Sequence, residues 1–160
     1  MTVPRSASLL FLRLSLGLLM LVWGGDKFAN PAHGVGVAEH FYFGLMGTAA
    51  MMPVLGALQI ALGLLVALGA VRRFSYAALA VVTGVTLVGV RRSIVDPWGW
   101  YLEGTNALFF PSLIIFAAAL ALIAFRAEDV LSLDERLRRE PVGAAPPSVL
   151  DDTRGVRARG

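Results

Sequence analysis

The stretch LLFLRLSLGLLMLVWGGDKF, residues 9–28, decides how this chain folds. Most of it is an almost unbroken apolar run, long enough for a helix that crosses the hydrocarbon of a membrane. Because lipid offers the backbone no hydrogen-bond partners, such a segment satisfies its own amides as a helix. Trp23 suits headgroup depth, and the glycine pair that follows lets the helix kink or end before Asp26 and Lys27. This stretch therefore predicts a membrane helix with polar chemistry at its far end.

The composition of the whole chain indicates further helices of the same kind. Of its 160 residues, 57% are apolar and only 16% are charged, which is unusual for a soluble domain. Four apolar stretches, at about 8–24, 52–71, 74–90 and 106–125, each suffice to cross about 30 Å of hydrocarbon. We therefore expect an all-α fold, a four-transmembrane-helix bundle within residues 1–126. A short cytoplasmic interfacial helix at 127–140 and a disordered tail at 141–160 should follow.

The distribution of arginine and lysine predicts the orientation of the bundle. Eleven of the fourteen cationic residues lie in the N-terminal segment, in the turn between the second and third spans, or in the tail. The positive-inside rule then places both termini in the cytoplasm and the two longer loops outside. The net charge of +3 reflects this asymmetry, so the sequence gives no reason to expect nucleic-acid binding.

The chain contains no cysteine. This excludes disulfides, Cys-x-x-Cys redox chemistry, thiolate metal sites and covalent haem attachment. We expect no covalently bound cofactor. His33 and His40 lie in one loop region without a third ligand at a recognisable spacing, so we expect no metal site.

Polar and aromatic residues are predicted to collect at the outer ends of the spans. An outer pocket with aromatic walls and a few cations suits a small anion or the head group of a lipid-soluble quinone, whose oxygens need hydrogen-bond donors. An ordinary interfacial belt of neutralised charges is the alternative. The candidate ligand-binding residues are Trp23, Asp26, Lys27, Gln59, Arg91, Arg92, Asp96, Trp98 and Asn106.

Three of the predicted spans contain or adjoin polar residues that need an explanation. Gln59 should face the bundle interior and find a partner there, as a structural hydrogen bond or as the lining of a quinone or proton path. Arg13 lies inside the first span, where we favour a side chain that extends back to the headgroups over an internal ion pair. Asp96 with Pro97 is typical of a helix N-terminus, so a short helical turn is expected in that loop.

Several of these residues together resemble a known pattern. The chain is similar to the DoxX-like family of small four-helix membrane proteins in the series Arg13, Gly17, Trp23-Gly24 and Lys27 of the first helix. The second helix, with Gly56, Gln59, Gly63, Gly69 and Arg73, and the exit sequence Ser132-Leu133-Asp134 carry the resemblance further. It covers about residues 9 to 137.

The resemblance implies a multi-pass protein of the cytoplasmic (inner) membrane that is associated with a redox system. The expected function is that of a membrane subunit or anchor of a quinone-linked redox complex, at most an accessory part of an oxidoreductase. Its partners would be the lipid bilayer, another redox or membrane subunit, and further copies of the same chain. The alternative function is a non-catalytic structural or assembly protein that binds another membrane subunit.

Overall fold

The computed structural model describes residues 4–42, 44 and 47–139. No strand occurs within these ranges, so the prediction of an all-α fold is confirmed. The predicted tail at 141–160 lies outside the described residues. The described residues form seven helices: α1 Arg5–Ala29, α2 Pro31–Tyr42, α3 Met52–Leu68, α4 Arg72–Gly89, α5 Arg91–Val95, α6 Pro111–Ala124 and α7 Leu133–Arg139. The 3₁₀ turns Ala107–Phe109 and Arg126–Glu128 flank α6.

Among the described residues, two helical segments are long and apolar enough to cross a membrane. These are Arg5–Ala29 and Ala107–Ala124, the latter formed by α6 together with the 3₁₀ turn before it. Helix α3 is equally apolar but has 17 residues, and the 18-residue α4 begins with two arginines. Length and composition therefore support two crossings, and the four-span topology with cytoplasmic termini stays a prediction.

The helix ends follow from local sequence. Asn30 precedes Pro31, which disfavours helical backbone at Asn30 and separates α1 from α2. Helix α3 ends at Gly69, whose φ of 66° is a left-handed conformation that glycine adopts without strain. Val71 also has a positive φ, 48°, which is rare for a β-branched residue. The chain thus reverses within three residues, and α3 and α4 become antiparallel neighbours.

Close packing of α1 against α3 is the tightest helix contact in the fold. A Cβ atom at Gly17 or Gly63 would lie 2.8 Å from the backbone carbonyl oxygen of the other glycine. Gly24 and Gly56 are related in the same way, again at 2.8 Å. Small residues allow this approach, and in lipid the resulting van der Waals contact is a main source of helix association. Gly56 and Gly63, seven residues apart, thus form the face of α3 that contacts α1.

The remaining helices complete the bundle around one apolar core. Helix α4 packs against α6, and α1 and α3 contribute the facing side chains. The buried core residues are Leu9, Leu16, Met20, Val66, Tyr76, Leu79, Ala119 and Leu122. Most of the other apolar side chains of α6 face outward, which is expected for a helix in contact with lipid.

The bundle has two chemically distinct ends. At one end α1 and α4 begin, and α3 and α6 end. Two contacts show this for α3, α4 and α6: Arg72 of α4 donates to the Arg126 carbonyl after α6, and the Gly69 carbonyl after α3 accepts from the Asp134 amide. We call this the arginine end. The opposite end carries Lys27, Trp98 and Trp100, and we call it the tryptophan end.

Candidate functional site

A buried ion pair lies at the arginine end. Nη1 of Arg13 is 3.0 Å from both carboxylate oxygens of Asp129, and Nη2 donates to the carbonyl oxygen of Leu131 at 3.3 Å. The two charged side chains are 3% and 1% exposed, respectively. A charge removed from water to this extent is tolerated only when it is paired and hydrogen-bonded. This pair fixes the segment after α6 onto the first membrane helix.

Two residues of α4 complete this cluster. Tyr76 donates its hydroxyl hydrogen to Oδ2 of Asp129 at 2.6 Å. Arg72 donates from Nη1 to the carbonyl oxygens of Asp129 and Arg126, at 2.8 and 3.0 Å. Ser132 also donates to the Asp129 carbonyl, at 2.9 Å. We call Arg13, Arg72, Tyr76 and Asp129 the buried cluster; it joins α1, α4 and the chain after α6.

The buried cluster corrects the prediction for Arg13. We expected its side chain to extend back to the headgroups, but it is buried and paired with Asp129, 116 residues away in the chain. Folding brings Asp129 next to Arg13, so the buried and paired guanidinium has a lower free energy than one extended to the headgroups. Sequence reasoning did not identify Asp129, although an acid placed just after an apolar span was the available signal.

A second carboxylate joins α7 to the start of α4. The Asp134 oxygens accept from the backbone amides of Val71 and Arg72, both at 2.8 Å, and so cap α4 from a distant segment. Burial opposes the ionisation of Asp134, but those two amides and the Arg72 guanidinium outweigh it and hold the pKa of Asp134 below its ordinary value of 3.8. The cap also stabilises the left-handed backbone at Val71.

The predicted residues of α1 lie together at the tryptophan end. Lys27 is half-buried, and its Nζ donates to the carbonyl oxygen of Trp23, one turn closer to the bundle centre, at 3.3 Å. Asp26 faces away from this contact and pairs with Nδ1 of His33 on α2 at 2.7 Å. Trp23 itself packs partly against the apolar core. The lysine therefore has one described acceptor for its three donor hydrogens.

The loop after α5 contains the predicted residues Asp96 and Trp98. Asp96 accepts from the amides of Trp100, Tyr101 and Leu102 at 2.6–3.0 Å. The expected helical turn after Asp96 is wrong: those residues form turns and bends, because the carboxylate collects the amides directly. Burial opposes its ionisation, but these amides outweigh it and lower the pKa of Asp96.

The other predicted side chains in this region have few partners. Asn106 caps the 3₁₀ turn before α6, since its Oδ1 accepts from the Leu108 amide at 2.9 Å. Arg91 is exposed and donates to the Val88 carbonyl at 3.1 Å. Trp98 is 70% exposed and stacks on Trp100. Within the described ranges, neither Arg91 nor Arg92 makes an ion pair.

A cleft of about 340 Å³ opens at the tryptophan end. Its walls include His40 and Phe41 of α2, Ser93 and Arg92 of α5, and Glu103. Of the nine predicted ligand-binding residues, Arg92 lines this cleft, whereas Lys27 and Arg91 do not. Their convergence in one pocket stays a prediction.

Gln59 lies between the buried residues Met52 and Val66 on one face of α3. Its Oε1 is buried and has no hydrogen-bond partner among the described residues. Neighbouring positions of α3 contact Gly24, so Gln59 lies about one turn deeper than Lys27. The expected interior position is found, but the expected internal partner is not. An unsatisfied amide in an apolar setting is costly, which makes this atom a candidate acceptor for a ligand.

Groups that could hold a metal ion are absent from the described residues: no three His, Asp or Glu side chains cluster there. His33 is instead paired with Asp26, and His40 makes an edge contact with Phe41.

Comparison with known protein families identifies a match over the first part of the chain. The family model described as DoxX matches residues 8–92, slightly more than half of the chain. Comparisons with curated proteins and with solved structures give no significant match.

Proposed function

Because the chain belongs to the DoxX family of membrane proteins, we propose that it is a four-span subunit of a quinone-linked redox complex in the cytoplasmic membrane. In this function it positions a quinone head group for a partner that supplies the electrons. The buried, unpartnered Oε1 of Gln59 is the single observation that carries the proposal.

Residues at two depths fit the two oxidation states of such a ring. A quinone carbonyl accepts hydrogen bonds, and Lys27 has donor hydrogens available beyond the one used by Trp23. A quinol hydroxyl donates, and Gln59 offers an acceptor without a competing partner. When bound, the quinone supplies the redox chemistry, and the chain contributes orientation and electrostatics. Trp23 would form an apolar wall between these two polar groups.

Helix lengths and charges support the four-span placement. A 17- or 18-residue helix is about 26 Å long, close to the hydrocarbon thickness, so α3 and α4 can cross with little tilt. The two arginines that begin α4 would then lie at the cytoplasmic interface with the N-terminus and the end of α6. This arrangement accounts for the charge difference between the two ends of the bundle.

Quantification of bound quinone tests the proposal. The protein is purified from membranes in a mild detergent, extracted into organic solvent, and its quinone content is measured per mole of protein. We expect near-stoichiometric quinone in the unaltered protein, and at least a tenfold loss for Gln59→Leu and for Lys27→Met, as for removal of a hydrogen bond to a buried or charged group. Arg5→Gln, an exposed cation at the arginine end, is the control and should retain quinone.

Other results of the same experiment separate the two candidate functions. Quinone that is retained by both Gln59→Leu and Lys27→Met refutes the assigned contacts. Protein that contains no quinone, but copurifies with another membrane subunit, favours the structural or assembly function. The exposed apolar side chains of α1, such as Phe11 and Leu18, support that alternative because they could pack against a second protein instead of lipid.

A further inference from the structure

A cleft of about 680 Å³ lies at the arginine end, next to the buried cluster, with which it shares Arg72. The start of α4, the turn after α6 and one face of α7 form its walls. Four arginines and two acids line it: Arg72, Arg73, Arg126, Arg138, Asp134 and Glu135. Opposite charges are therefore present, but cations are in excess.

The acids neutralise only part of this positive charge. Arg72 is buried between Asp134 and Glu135, with nitrogen–oxygen distances of 3.5 Å to each. Arg138 pairs with Glu135 at 3.4 Å. Arg73 and Arg126 are exposed and have no acidic partner among the described residues. Two guanidinium groups without counter-ions thus remain at the rim of one cleft.

Apolar side chains flank these two arginines. Phe74 follows Arg73 and is 69% exposed, and Phe125 precedes Arg126 and is 50% exposed. On both helices the charged residue lies at the point where the apolar segment meets the cleft. A ligand held here would thus contact guanidinium groups at one end and apolar surface at the other, which matches a phospholipid.

We propose that Arg73 and Arg126 bind the phosphate of an anionic phospholipid in the cleft at the arginine end. The planar guanidinium groups match phosphate oxygens, and both residues line the same cleft. The acyl chains would lie against Phe74 and Phe125 and continue along the outer faces of α4 and α6. This inference does not depend on quinone binding, because it concerns the opposite end of the bundle.

Lipid binding by native mass spectrometry tests this inference. Detergent-solubilised protein is titrated with phosphatidylglycerol or with zwitterionic phosphatidylcholine. Each basic residue near an anionic surface contributes about a fivefold gain in affinity, so Arg73→Gln with Arg126→Gln should weaken phosphatidylglycerol binding about 25-fold. Arg136→Gln removes the same charge from an exposed position of α7 that does not line the cleft, and should bind as the unaltered protein does.

The salt dependence of lipid binding and competition with inorganic phosphate test the inference further. Binding of phosphatidylglycerol to the unaltered protein should weaken as salt increases, whereas phosphatidylcholine binding should be weak throughout. Inorganic phosphate at millimolar concentration should not displace the lipid, since it lacks the acyl contacts. Equal binding of the two lipids, equal losses in the double variant and in Arg136→Gln, or displacement by free phosphate would each overturn the proposal.

Discussion

Replacement of Asp129 by Asn should destabilise the protein more than any other single change of charge at the arginine end. The carboxylate accepts two hydrogen bonds from Arg13 and one from Tyr76, and its side chain is 1% exposed. Asn preserves the size but removes the charge, so the buried guanidinium loses its counter-ion. Breaking a buried pair in this way costs about 3–5 kcal/mol. This is a large fraction of a typical total stability of about 5–15 kcal/mol.

Reversible unfolding in mixed dodecyl maltoside and sodium dodecyl sulfate micelles, followed by far-ultraviolet circular dichroism, measures this loss. Glu128→Gln is a matched control, because Glu128 is the preceding residue and also pairs with an arginine. Its partner Arg5 is 86% exposed, so this pair is screened by water and should contribute only about 0–1 kcal/mol.

The double variant Arg13→Met, Asp129→Leu tests the reason for the effect. If the penalty comes from an unpaired buried charge, replacing both partners by apolar residues should recover at least half of it. A loss below about 1 kcal/mol for Asp129→Asn, equal to that of Glu128→Gln, would refute the reasoning. So would additive losses in the double variant, since the two charges would then not be coupled.

Three other predictions can be tested, two in the same unfolding assay and one with a fluorescent label on α7. Gly24→Ala should lower the free energy of unfolding by about 1–3 kcal/mol, because its Cβ would lie 2.8 Å from the Gly56 carbonyl oxygen. Gly25→Ala is the control: its Cβ would meet nothing within 4 Å, so this change should be neutral or stabilising. Equal effects of the two changes would contradict the packing argument. Gln59→Leu should leave the stability unchanged or raise it by about 1 kcal/mol, because it removes an unsatisfied amide oxygen. A clear loss of stability would indicate that Gln59 has a partner within the protein. Because the pKa of Asp134 is lowered in the folded protein, its contribution is present above about pH 3.8 and is lost as the pH falls through the folded value. A fluorophore attached to the cysteine of a Leu137→Cys variant should therefore report the release of α7 from α4 in acid. With Asp134→Asn added, α7 should already be released at about pH 6. An acid titration that Asp134→Asn leaves unchanged would contradict the role assigned to Asp134.

The four long apolar helices could be predicted from local sequence alone, whereas the shorter α2 and α5 could not. Long apolar runs in a chain with few charges have one stable backbone solution in lipid, and this determined the all-α class. The stripe of Gly56 and Gly63 also identified a close-packing face, since a helix places residues seven apart on the same side. For the aromatic residues near position 100 the sequence left two interpretations open, the wall of a pocket and an interfacial belt; in the structure their side chains are exposed.

Contacts between distant segments required the tertiary structure. Nothing local to Arg13 indicates that its counter-ion is Asp129, and nothing local to Val71 indicates that Asp134 caps the following helix. The sequence also placed Arg72 only in the turn between two apolar segments, whereas in the structure it is the first residue of α4. By itself the sequence determined that the four long apolar segments are helical and suited to a membrane, because backbone hydrogen bonding and hydrophobicity act within one helix. Only the tertiary structure decided which charges are paired and which amide oxygen lacks a partner among the described residues, because both depend on groups that folding brings together from distant parts of the chain.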